Sequence, residues 1–102
     1  MYKITVLYHH PADAHVFEEH YAKNHLPLAQ NMEGVSKLEL TKFVNTPGGD
    51  PPEFYRMAEL YFESEAQMIE TMGTPEAQAT IDDLHNFTNG GVKILIGKVE
   101  NA

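Results

Sequence analysis

From Tyr2 to Tyr8 the chain alternates, with Tyr2, Ile4, Val6 and Tyr8 on one side and Lys3, Thr5 and Leu7 on the other. A period of two predicts a first β-strand over residues 2–8. His9-His10-Pro11 ends it, because Pro11 has no amide proton and restricts His10. Asp13 offers a helix N-cap, and Val16, Phe17, His20 and Tyr21 then recur at helical spacing. This predicts an amphipathic helix over residues 14–24, closed by His25-Leu26-Pro27, since a proline disfavours helical backbone in the residue before it.

A connection over residues 28–34 ends at Gly34, and alternation returns with Leu38 and Leu40 set against Lys37, Glu39 and Thr41. The pattern predicts a second strand over residues 35–45 and, after a loop rich in Pro and Gly at 46–52, an aromatic-rich third strand over 54–63. Ser64-Glu65-Ala66-Gln67 fits a capping box that opens a helix stopped by Gly73. Thr74-Pro75 opens another helical stretch running to about Asn86, since proline suits the first helical turn. Gly90-Gly91 leads to a fourth strand over residues 92–99. The order β-α-β-β-α-α-β defines an α+β, ferredoxin-like split βαβ domain spanning residues 1–102, with a four-stranded antiparallel sheet. Helices on one face leave the other sheet face to be covered, and a second copy of the chain is the expected cover.

Composition narrows the partners. There are 7 basic residues against 15 acidic ones, a formal net charge of -8, so the positive footprint that nucleic-acid binding needs is missing. No run of residues has the length and apolarity of a membrane span, so no membrane association is expected. The chain has no cysteine, which removes disulfides, thiolate catalysis and zinc–thiolate sites; a cytoplasmic location is the default expectation. Its glycine pairs lack the strand–GxGxxG–helix context of a dinucleotide site. His9 and His10 are adjacent, and His20 and His25 are five apart, so neither pair has the spacing of helical zinc ligands. No metal and no cofactor are expected.

The candidate chemistry lies in histidine and tyrosine. His20 interrupts the apolar face of the first helix, where it serves either as general base or substrate anchor, or as a buried ring held by a hydrogen bond. His25 stands where that helix is expected to end; it either contacts a substrate oxygen or caps free carbonyls, and the helix dipole there favours its protonated form. Tyr8, Tyr21 and Tyr61 offer apolar bodies with one polar atom each, suited to a pocket wall or to the core. Asn86 either bonds into the pocket or fixes a turn. Glu59 shares a strand face with Met57 and Tyr61 and is either a buried carboxylate or one half of an ion pair. The pocket is expected between the first helix, residues 25–28 and the sheet, with His20 and His25 both open to it.

Several strings resemble one family. They are Val6-Leu7-Tyr8 with Pro11 and Asp13, Phe17-x-x-His20-Tyr21-x-x-x-His25-x-Pro27-Leu28, Ala58-Glu59-Leu60-Tyr61-Phe62, Thr74-Pro75-Glu76-Ala77, and Asp83-x-x-Asn86-Phe87 before Gly90-Gly91. Together they resemble the EthD family of the dimeric α/β-barrel superfamily, named for a bacterial gene cluster of ethyl tert-butyl ether degradation. The resemblance implies a homodimer whose two sheets pack face to face, with a pocket between each sheet and its own helices. It implies an accessory protein of a catabolic pathway that binds a small apolar or aromatic oxygenated compound. The alternative it implies is a cofactor-free enzyme of cyclase, isomerase or monooxygenase type using His and Tyr as acid and base.

Overall fold

The computed structural model describes residues 1–89 and 91–101. Gly90, half of the glycine pair expected to lead into the last strand, lies outside them. The four strands are β1 (Tyr2–His9), β2 (Lys37–Lys42), β3 (Phe54–Phe62) and β4 (Val92–Lys98). Every pairing is antiparallel, in the order β2-β3-β1-β4. The two strands nearest in sequence, β2 and β3, form one edge pair, and β1 is central. β2 is shorter than residues 35–45 because only Lys37 to Lys42 find ladder partners on β3.

Directly paired residues of antiparallel strands share a sheet face, so the register assigns the faces. Ile4 pairs with Leu60 and Ile96, Val6 with Ala58 and Ile94, and Leu38 and Leu40 oppose Leu60 and Ala58. This face is apolar and carries the helices. The opposite face holds Lys3, Thr5, Leu7, Glu59, Tyr61 and Leu95.

The helices begin where side-chain oxygens satisfy free amides. Asp13 Oδ1 accepts from the Val16 amide at 3.1 Å, opening α1 (Ala14–His20). Ser64 Oγ accepts from the Gln67 amide at 3.1 Å, opening α3 (Glu65–Met72); the Gln67 side chain completes no reciprocal bond and instead donates to Thr71 Oγ1. Thr74 opens α4 (Pro75–Asp83), which passes into a 3₁₀ turn over Leu84–Asn86.

The first helical segment departs from the expected pattern. It does not stop before Pro27: α1 passes into a π-helical turn, Tyr21–His25, and then into α2 (Leu26–Gln30). The Leu26 amide bonds to the Tyr21 carbonyl, the five-residue step of a π turn. Pro27 has no amide to donate, so the wider turn absorbs it and the proline becomes part of the opening turn of α2. His25 is therefore an interior helical residue and not a C-terminal cap.

Candidate functional site

The π turn brings Tyr21 and His25 to the same inward face, one turn apart, with 2% and 5% of their surfaces exposed. Their rings are nearly parallel, with centroids 6.0 Å apart. Tyr8 meets Tyr21 edge-on from the sheet at 5.5 Å. The three side chains line one wall of a cavity of about 220 Å³ between the helices and the sheet. Ile4, Val6, Leu38, Ala58 and Leu60 form its floor, and Leu26, Ala29, Met32, Met72, Ala77 and Leu84 its roof. Ile81, Ile94 and Ile96 also line it and are exposed, which marks the rim on the β4 side. Among the described residues, the only wall side chains with polar atoms able to form conventional hydrogen bonds are those of Tyr8, Tyr21, His25 and Thr80.

Behind His25 lies Asp83, the last residue of α4. Its Oδ2 is 3.0 Å from His25 Nδ1, its Oδ1 is 2.8 Å from His20 Nε2, and Asn86 Nδ2 donates to Oδ1 at 2.9 Å. Asn24 Nδ2 reaches the other nitrogen of His20 at 3.2 Å. Phe87 packs against both imidazoles, at 5.1 Å from His20 and 4.7 Å from His25. A helix C-terminus is an unfavourable place for an anion, so Asp83 depends on its three donors.

The electrostatics settle the protonation pattern. Burial disfavours the charged imidazole and holds the His25 pKa below its ordinary value, although the bond to Asp83 pulls the other way. Burial alone would raise Asp83, but the bonds from Asn86, His20 and His25 outweigh it and hold the carboxyl below its usual range. The pair is thus a neutral imidazole beside a carboxylate. Nδ1 of His25 carries the proton and donates it to Asp83, leaving Nε2 as an acceptor on a ring that lines the cavity. Burial also pushes the Tyr21 hydroxyl up to about 12 and raises that of Tyr8. The Tyr21 hydroxyl is buried and has no hydrogen-bond partner among the described residues. The guanidinium of Arg56 lies 5.0 Å from the Tyr21 ring, and its Nε and Nη2 both donate to Glu18, at 2.8 and 2.6 Å.

Of the residues singled out in the sequence, Tyr8, Tyr21 and His25 meet at the cavity. His20 does not share it: its ring borders a shallow outer depression with Val16, Glu19, Lys23 and Asn24, and it joins His25 only through Asp83. The expectation that both imidazoles open to one cavity is corrected, because the π turn rotates His25 inward and leaves His20 at the margin. Asn86 is likewise an Asp83 donor and no part of the wall. Tyr61 sits on the opposite sheet face, its register partner being Lys3, and contacts the ammonium groups of Lys3 and Lys37. Strand alternation places it there: Tyr8 and Tyr61 lie on antiparallel strands with opposite parity. Glu59, on that same outer face, is buried and paired with Lys3 at 2.6 Å. The residue the sequence reading missed is Asp83, whose signal was its spacing of three from Asn86 at a helix end.

The comparisons with known proteins agree with this architecture. A family model described as the EthD domain matches residues 9–91. An uncharacterised 11.0 kDa protein of Rhodococcus erythropolis, from a thcB-thcC intergenic region, is 41% identical over 102 residues, covering 100% of this chain and 98% of that protein. The crystal structure of an ethyl tert-butyl ether degradation (EthD) family protein from Bacillus halodurans superposes with a TM-score of 0.91 at 31% identity, covering 98% of this chain and 99% of that one. Two more distant structures share the fold. One is a dimeric ferredoxin-like protein of unknown function from Bacteroides fragilis (TM-score 0.66, 16% identity, covering 96% and 95%). The other is a cofactor-independent oxygenase from Streptomyces nogalater (TM-score 0.65, 12% identity, covering 99% and 93%). With the family model spanning most of the chain and near full-length relatives above 30% identity, this chain belongs to the EthD family.

Proposed function

We propose that this protein binds a small apolar or aromatic oxygenated compound in the cavity between its sheet and helices, as an accessory member of a catabolic pathway. The observation that carries this reading is the wall itself: about 220 Å³ of space lined by aliphatic side chains, with a few polar groups gathered on one side. Ligand sites combine an apolar body with a small number of placed polar atoms. The test is titration with small aromatic compounds by calorimetry, comparing the wild type with Ala58→Leu. Ala58 is buried and forms part of the cavity floor, so a larger side chain there takes up space in the cavity. Binding by the wild type and its loss in a folded Ala58→Leu variant are expected. Equal binding by both would remove the cavity from consideration.

A second reading, cofactor-free acid–base catalysis, is favoured by the carboxylate–imidazole pair. With Nδ1 held by Asp83, Nε2 of His25 is oriented to take a proton from a compound in the cavity. Under this reading a His25→Gln variant that still binds the compound loses its turnover; under the accessory reading the wild type shows none.

The functional unit in this proposal is a homodimer joined through the outer sheet face. Helices cover one face alone, and the other exposes Leu95 at 54% beside Leu7, with Lys3 and Glu59 already paired. Light scattering is expected to give twice the chain mass, falling to the monomer in Leu95→Asp.

A further inference from the structure

The polar atoms of the cavity wall specify more than an apolar guest, and the following rests on the cavity being the binding site. Tyr21 and His25 stand side by side on the π turn, rings nearly parallel and centroids 6.0 Å apart. The Tyr21 hydroxyl is buried and without a partner among the described residues, so it has a proton to donate. His25 is complementary: Nδ1 is committed to Asp83 at 3.0 Å, which leaves Nε2 to accept. One hydroxyl group answers both needs, since its oxygen takes the Tyr21 proton while its own proton goes to Nε2. An ether or ketone oxygen answers only Tyr21, and a hydrocarbon answers neither. A carboxylate brings a charge to a wall that holds no lysine or arginine among the described residues, and the nearby Arg56 is already neutralised by Glu18. A buried charge without a counter-ion is strongly disfavoured.

We infer that the ligand of this site is a neutral compound with a single hydroxyl group on a small apolar body, an alcohol or a phenol, held between Tyr21 and His25.

A matched series tests this on the full chain: phenol, anisole, toluene and benzoate, with affinities read by calorimetry or ligand-observed NMR. Phenol is expected to bind about tenfold more tightly than toluene, from two hydrogen bonds of modest net value. Anisole should fall between them and benzoate should bind least. The variants Tyr21→Phe and His25→Phe keep the ring volume. Each is expected to shrink the phenol-to-toluene ratio, and His25→Phe to erase the advantage of phenol over anisole. Comparable affinities for phenol, anisole and toluene, or a ratio that both variants leave unchanged, would overturn the hydroxyl assignment while leaving the cavity as an apolar site. Binding of benzoate above phenol would also overturn it. Failure of all four compounds to bind would overturn both this inference and the binding function it rests on.

Discussion

Replacing Asp83 by alanine removes the acceptor that three donors share. His20 has 21% of its side chain exposed and Asn86 lies at the surface, so water takes over their bonds and each loss costs about 0.5 kcal/mol. His25 has no such recourse. With 7% of its side chain exposed, its Nδ1–H is left without a partner inside the fold, at a cost of about 1–3 kcal/mol. Some of this is offset by no longer burying a carboxylate at the C-terminal end of α4. The balance is a loss of about 2–3 kcal/mol, a lowering of Tm on the order of 10–20 °C for a domain of this size. Urea and thermal unfolding measure it. The double variant Asp83→Ala with His25→Phe is a sharper test. Phenylalanine keeps the contact with Phe87 but has no donor to strand, so the cycle should show coupling of at least about 1 kcal/mol. If Asp83→Ala costs less than about 0.5 kcal/mol, or the two substitutions simply add, Asp83 is an ordinary surface carboxylate and the hub does not exist.

Three further outcomes follow from the same geometry. Tyr21→Phe removes a buried hydroxyl that has no partner and should raise the stability of the ligand-free protein by about 1 kcal/mol in urea unfolding; a loss of similar size would mean the hydroxyl is bonded. His25 is held neutral by burial, its pKa depressed in the fold, so its contribution to stability is complete above the unfolded value of about 6.5 and is lost as pH falls through the folded value. The unfolding free energy should therefore decline below about pH 6.5, and His25→Phe should flatten that arm. His20→Leu gives up its bonds to Asp83 and Asn24 at the margin of the fold, costs about 1 kcal/mol, and leaves affinity for a cavity ligand within about twofold by calorimetry, because His20 does not line the cavity.

Much of this protein was determined by local chemistry that the sequence displays. Alternation at Tyr2–Tyr8 and at Leu38–Leu40 follows from the two-residue period of a strand, and the helix starts at Asp13, Ser64 and Thr74 follow from side-chain oxygens meeting free amides three residues on. Tyr8 and Tyr21 were legible as candidates because each sets one polar atom on an apolar body, and His25 because it stands beside Pro27, where a helix was expected to end. The tertiary structure decided what depends on non-local geometry. Pro27 reads locally as a helix stop, but packing of Leu26 and Ala29 against the core retains the helix, and the π turn that accommodates the proline turns His25 inward and leaves His20 outside. Tyr61 was separated from Tyr8 by inter-strand register, which one strand's pattern does not contain. Asp83 looked like one more acid in a helix rich in them; it became the centre of the site because the fold brings His20, 63 positions away, and His25, 58 positions away, within hydrogen-bond distance of one carboxylate. Periodicity reports which face a residue occupies, whereas only the closed fold brings residues from distant segments together on that face.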